Sequence, residues 1–180
     1  MDEGRVDRAI ADADQAIALD PKLAGAYLVH RLASSRKGNI DGAIAEYSEA
    51  LALNPGDADA YFHRGSGHLR ENRLDEAVAD TSRALELRPE NAAAYNNRAW
   101  ALHLKGENAL ALPDAEKAVT LAPNSAPSLE TRAEIYEKLG EKLGRRRDAA
   151  TDYRAALVID GSLQTARDGL RRLGAGPRSP

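Results

Sequence analysis

Apolar residues recur three and four positions apart along most of this chain, and polar punctuation interrupts them at regular intervals. Over residues 92–105, Tyr95, Ala99 and Leu102 share one helical face. Over residues 109–121, Leu110, Ala111, Ala115, Ala118, Val119 and Leu121 form a second apolar stripe. This spacing predicts two amphipathic helices, each with one buried side. Residues 106–108 read as the turn between them, and Pro123, which cannot continue a helix, closes the second.

The same hairpin pattern returns every 34 residues. Tyr27, Tyr61 and Tyr95 coincide under that shift, as do Ala43, Ala77 and Ala111, then Ala50, Ala84 and Ala118, and finally Pro55, Pro89 and Pro123. A fixed period of roughly 20–50 residues marks a repeat array, because one hairpin cannot bury its stripes alone. Complete units span residues 24–57, 58–91 and 92–125, with a fourth over 126–161. Residues 1–21 match only the second half of a unit, with Ala9, Ala16, Leu19 and Pro21 in register; Gly4 or Asp7 could open that helix. With no partner helix before it, Val6, Ile10, Ala13 and Ile17 are expected to be uncovered on one side. Residues 162–174 read as a capping helix, with Leu163, Ala166, Leu170 and Leu173 inward and Arg167, Arg171 and Arg172 outward. Residues 175–180 are expected to be disordered. The expectation is therefore an all-α single array over residues 1–174, made of ten helices.

Small residues at fixed places have a steric reason. Gly65, Ala99 and Ala133 mark where the two helices of a unit cross closely, and Ala43, Ala77 and Ala111 serve the returning helix. Three features depart from the pattern. Arg31 stands at the close-crossing position, so the first complete unit should pack more loosely there. Pro113 lies inside a second helix and removes the hydrogen bond to the Ala109 carbonyl, which predicts a kink or a late helix start. The motif EKLG occurs twice in tandem over residues 137–144, and the landmarks Ala149, Ala156 and Ile159 then lag their predecessors by 38 residues instead of 34. Four residues add about 6 Å of helical rise. The simplest reading is a first helix one turn longer, lifting Arg145, Arg146 and Arg147 onto an extended tip; a looped-out turn after Gly140 is the alternative.

An aromatic, a small residue, a turn glycine, two alanines seven apart and a closing proline together resemble the tetratricopeptide repeat (TPR). The resemblance covers residues 4–161. It implies a right-handed superhelical solenoid whose concave face holds a peptide or helix of a partner protein. Carried onto this chain, the family's inner-face positions are Leu28, Val29, Leu32 and Arg36 in the first complete unit. In the second they are Asp59, Phe62, His63, Ser66 and Arg70. The third supplies Asn96, Asn97, Trp100 and His103, and the fourth Glu130, Thr131, Glu134 and Glu137. Some members hold a partner's C-terminal carboxylate with Lys, Asn and Arg. The matching places here carry Phe62, Ser66, Asn97, Pro127 and Thr131, so only Asn97 fits. The acidic fourth unit instead favours a partner with basic residues.

Composition narrows the function. The formal net charge is -3 with both signs interspersed, which argues against nucleic acid and anionic membrane as partners. There is no cysteine, excluding disulfides and thiol chemistry; this suits the cytoplasm, and the periplasm equally tolerates it. No apolar run reaches the ~20 residues of a membrane span. His30, His63, His68 and His103 lack the convergent spacing of a metal site, and no nucleophile or phosphate-loop motif is present. The chain is expected to be a non-catalytic, cofactor-free binding protein. Phe62, Trp100, Asn96 and Asn97 are the residues expected to grip a segment; Trp100 could instead fill space between neighbouring first helices. Self-association through the N-terminal half repeat is the alternative function, as is a regulatory part of a larger protein.

Overall fold

The computed structural model describes the backbone of residues 3–36, 40–143 and 145–175, and their side chains except at 3–7, 31–32, 34–36 and 141–143. Residues 176–180 of the proposed tail, and the side chains of Val6, Arg31, Leu32 and Arg36, lie outside that description. Ala175, expected to be disordered, is instead held in place, its N–H donating to the Leu170 carbonyl at 2.9 Å and its carbonyl accepting from Arg154 at 3.1 Å. Among the described residues there are ten α-helices and no strand. They fall into two compact units, Met1–Pro89 and Glu90–Pro180.

In the first unit α1 (Glu3–Leu19), α2 (Ala24–Arg36), α3 (Ile40–Leu53), α4 (Ala58–Arg70) and α5 (Leu74–Leu87) each pack on the next. Helix α1 is already helical at Glu3, ahead of both Gly4 and Asp7, and stops before Pro21. Asp57 caps α4 by accepting from the Ala60 N–H at 2.9 Å, which satisfies one of the unpaired donors of the first turn. Gly65 shows why the crossing positions are small: a Cβ there would stand 3.1 Å from Thr81 Cγ2 and 3.3 Å from the Ala77 carbonyl oxygen. Ala77 is fully buried on the opposing helix. Ala13 is buried within α1, while Ile10 and Ile17 are half-buried, so α2 covers more of that stripe than an unpartnered helix implied.

In the second unit α6 (Ala92–Leu104), α7 (Asn108–Leu121), α8 (Ala126–Leu143), α9 (Arg146–Ile159) and α10 (Gln164–Arg172) pack likewise, and α8 also touches α6 and α10. Asn91 caps α6 just as Asp57 caps α4. Gly106 takes φ +82 in the turn after α6, and Asn72 takes φ 57 at the same repeat position; both residue types tolerate this left-handed conformation. Pro113 does not delay its helix: α7 begins at Asn108, one period after α5 begins at Leu74. The ring is exposed, and so is Ala109, so water can serve the carbonyl that the proline leaves without a partner. Helix α8 is 18 residues long where α4 and α6 have 13.

A repeated ion pair, not expected from the sequence, ties the two helices of each of three hairpins together. Arg64 on α4 makes two hydrogen bonds to Asp80 on α5, both at 2.7 Å. Arg98 repeats this with Asp114 at 2.6 and 2.7 Å, and Arg132 with Asp152 at 2.7 and 2.8 Å. The three aspartates are buried, so these are forked, charge-assisted bonds away from bulk water. Each guanidinium pKa is raised, first by the hydrogen bond to its aspartate, with burial opposing. In the first hairpin His30 and Glu46 occupy the same repeat positions and contact each other, and His30 also reaches Asp14 on α1 at 3.0 Å.

Candidate functional site

The residues assigned to an inner face occupy two different settings. In the first unit they are largely absorbed into packing. Leu28 lies against the core of Ala43, Tyr47, Leu51 and Ala60. His63 stacks on Tyr47 with ring centroids 5.5 Å apart, and Phe62 tilts against His63 at 5.0 Å. The Ser66 hydroxyl donates to the Phe62 carbonyl at 2.8 Å, a bond within its own helix turn. Leu32 lies in α2, with its side chain outside the description.

The second unit holds a cleft. Asn96 and Trp100 of α6, Pro127, Glu130, Thr131 and Glu134 of α8, and Thr165 of α10 line a cavity of about 260 Å³. The helical period places these side chains together: Asn96 and Trp100 are four apart, as are Glu130 and Glu134, so each pair faces one way. The Trp100 indole stacks on His103 at 5.1 Å. His103 in turn lies 2.6 Å from Asn108 Oδ1 through Nδ1 and 3.5 Å from Glu134 through Nε2. Asn97 is half-buried and does not line the cleft.

The cleft is short of donors. Asn96 Oδ1 and Glu130 Oε1 are buried and accept no hydrogen bond. Buried acceptors without a partner cost free energy and are rare in folded proteins. The Glu130 pKa is raised, chiefly by burial and then by the Glu134 charge, although the Ala166 N–H and Thr165 hydroxyl partly offset this. Trp100, Asn96, Glu130 and Glu134 were identifiable from the sequence. Thr165 was not, because it sits beside the buried Ala166 on a helix read only as a cap.

Glu137, also assigned to the inner face, does something else. Arg172 forks onto its carboxylate at 2.7 and 2.9 Å, and the Tyr153 hydroxyl donates to it at 2.9 Å. Arg172 therefore turns back onto α8, where an outward-facing cap residue was expected. The ring of Tyr153 is fully buried beneath Gly169, where an added Cβ would come within 2.3 Å of it.

Two family profiles match, TPR repeat over residues 36–70 and tetratricopeptide repeat over residues 67–126. The chain belongs to the tetratricopeptide-repeat family, as an all-α array of helical hairpins ending in a capping helix. Among solved structures, MamA is similar at 23% identity and TM-score 0.75, covering 88% of this chain and 90% of that one. YrrB, described as a TPR protein with an unusual peptide-binding site, is similar at 20% identity and TM-score 0.74, over 93% of this chain and 84% of that one. The first TPR of Spaghetti (RPAP3), solved bound to the HSP90 peptide SRMEEVD, is similar at 22% identity and TM-score 0.60, over 65% of this chain and 90% of that one. No curated protein matches the chain. No helix among the described residues is long and apolar enough to cross a membrane.

Proposed function

We propose that this protein is a cytoplasmic, non-catalytic interaction scaffold that binds an extended or helical segment of a partner on the faces of its first helices. The α6–α8–α10 cleft carries this reading: a half-buried tryptophan, an amide and two carboxylates converge there, with Asn96 Oδ1 and Glu130 Oε1 left without donors. The peptide-binding sites of YrrB and RPAP3 on the same fold support it. A peptide such as SRMEEVD, with three acidic side chains, would meet charge of its own sign at Glu130 and Glu134, so the partner should bring basic residues instead. Nucleic acid and anionic membrane are disfavoured for the same electrostatic reason.

A random-peptide display selection tests the function. Peptides enriched on the wild type should lose binding to Trp100→Ala while the thermal transition of that variant stays in place. The reading fails if no enriched peptide depends on Trp100. It fails decisively if, in addition, the molar mass rises with concentration and Ile17→Glu abolishes the rise, because the chain would then be an assembly element acting through α1.

A further inference from the structure

We infer that the α6–α8–α10 cleft is the seat of one cationic side chain of the partner, arginine before lysine, clasped by the Glu130 and Glu134 carboxylates and Asn96 Oδ1 beside the Trp100 indole. The inference rests on the peptide-binding reading and names the chemistry of one subsite within it.

Four features converge on that occupant. The cavity of about 260 Å³ is smaller than the roughly 300–1,000 Å³ of small-molecule pockets and suits a single side chain. Two acceptors of its lining residues, Asn96 Oδ1 and Glu130 Oε1, have no donor within the chain; both are buried, so they reach an occupant by a turn of their side chains and need donors rather than further acceptors. Two carboxylates one helical turn apart give it negative charge; no arginine or lysine lines the cavity, and the basic side chain near them is His103, 3.5 Å from Glu134. The fourth feature is Trp100, whose aromatic face attracts an organic cation. A hard metal ion fits poorly, since calcium takes six to eight oxygen ligands and magnesium demands an octahedron, and an indole offers neither. Guanidinium fits best: it is planar, carries five donors in a fork that matches carboxylates, and stacks on indole rings. An ammonium satisfies the charge but cannot stack or fork. Neighbouring carboxylates with other partners do not compete, because Glu137 is held by Arg172 and Tyr153.

Trp100 is the only tryptophan of the chain, so its fluorescence reports this site alone. The probes are acetyl-arginine amide, acetyl-lysine amide and acetyl-citrulline amide, the last keeping the shape of arginine without its charge. The arginine probe should change Trp100 emission saturably, lysine more weakly, and citrulline not at all. Glu130→Gln combined with Glu134→Gln should weaken the arginine response about tenfold or more. Glu49→Gln, on the exposed surface of α3, should leave it unchanged. Equal responses to arginine and citrulline, or an undiminished response in the double variant, overturn the seat. Failure of the seat is separable from failure of the scaffold: display-selected peptides that need Trp100 but ignore the double substitution leave the scaffold standing. An arginine probe that binds when no peptide can be selected leaves the seat standing and removes the scaffold.

Discussion

Glu130 and Glu137 stand on the same helix seven residues apart, and their surroundings push their carboxylates in opposite directions. Burial and the neighbouring Glu134 charge raise the Glu130 pKa. Burial acts on Glu137 in the same sense, but the Arg172 and Tyr153 hydrogen bonds outweigh it and hold the pKa below the ordinary glutamate value. One region has completed its polar network within the chain and the other has not. The completed network fastens the cap: Glu137 joins α8 to α9 through Tyr153 and to α10 through Arg172. The incomplete one opens onto a cleft. Burial of two glutamates thus says little until their partners are counted, and a carboxylate with one oxygen unmatched in a concave site reads as a place for something not yet bound.

The comparison can be broken hardest at Gly169. Substituting alanine there drives a Cβ into the fully buried Tyr153 ring, so the Glu137 clasp and the seating of α10 should fail together. The expected cost is about 3 kcal/mol in a denaturant titration, with lost amide protection over residues 164–172.

Removing the clasp at its centre should cost somewhat less. Glu137→Ala leaves the buried Tyr153 hydroxyl without its acceptor, for about 2 kcal/mol. The ion pair adds little, because half of the Arg172 side chain is exposed and solvent screens it. The pH dependence has a defined sign. A carboxylate whose folded pKa is depressed contributes stability that is present above its unfolded pKa and lost as pH falls through the folded one. Thermal melts of the wild type should therefore lose this contribution on the acid side of the ordinary glutamate range, and Glu137→Gln should flatten that limb.

The smallest effect should have the opposite sign. A folded pKa that is raised means stability is fully present below the unfolded pKa and lost as pH rises through the folded one. Charged Glu130 therefore weakens the fold at neutral pH, and Glu130→Gln should raise stability by about 1 kcal/mol while reducing the affinity for a basic partner. A stabilised variant with unchanged binding would show that the two glutamates differ in packing alone.

The hairpins, their 34-residue period, the closing prolines and the small crossing residues were legible in the chain, because local helical spacing and steric limits repeat with every unit. Trp100, Asn96, Glu130 and Glu134 were legible as candidates for the same reason, since position within a repeat specifies a face. Position could not reveal partners. The Arg64–Asp80, Arg98–Asp114 and Arg132–Asp152 forks link residues 16 or 20 apart on different helices, and they emerge only when the helices are docked. The turning back of Arg172, the contribution of Thr165 to the cleft and the distinction between Glu130 and Glu137 have the same origin. A sequence carries the helical period of each side chain, and so its face. Which donors reach a given carboxylate depends on distances between helices, which only the packed tertiary structure sets.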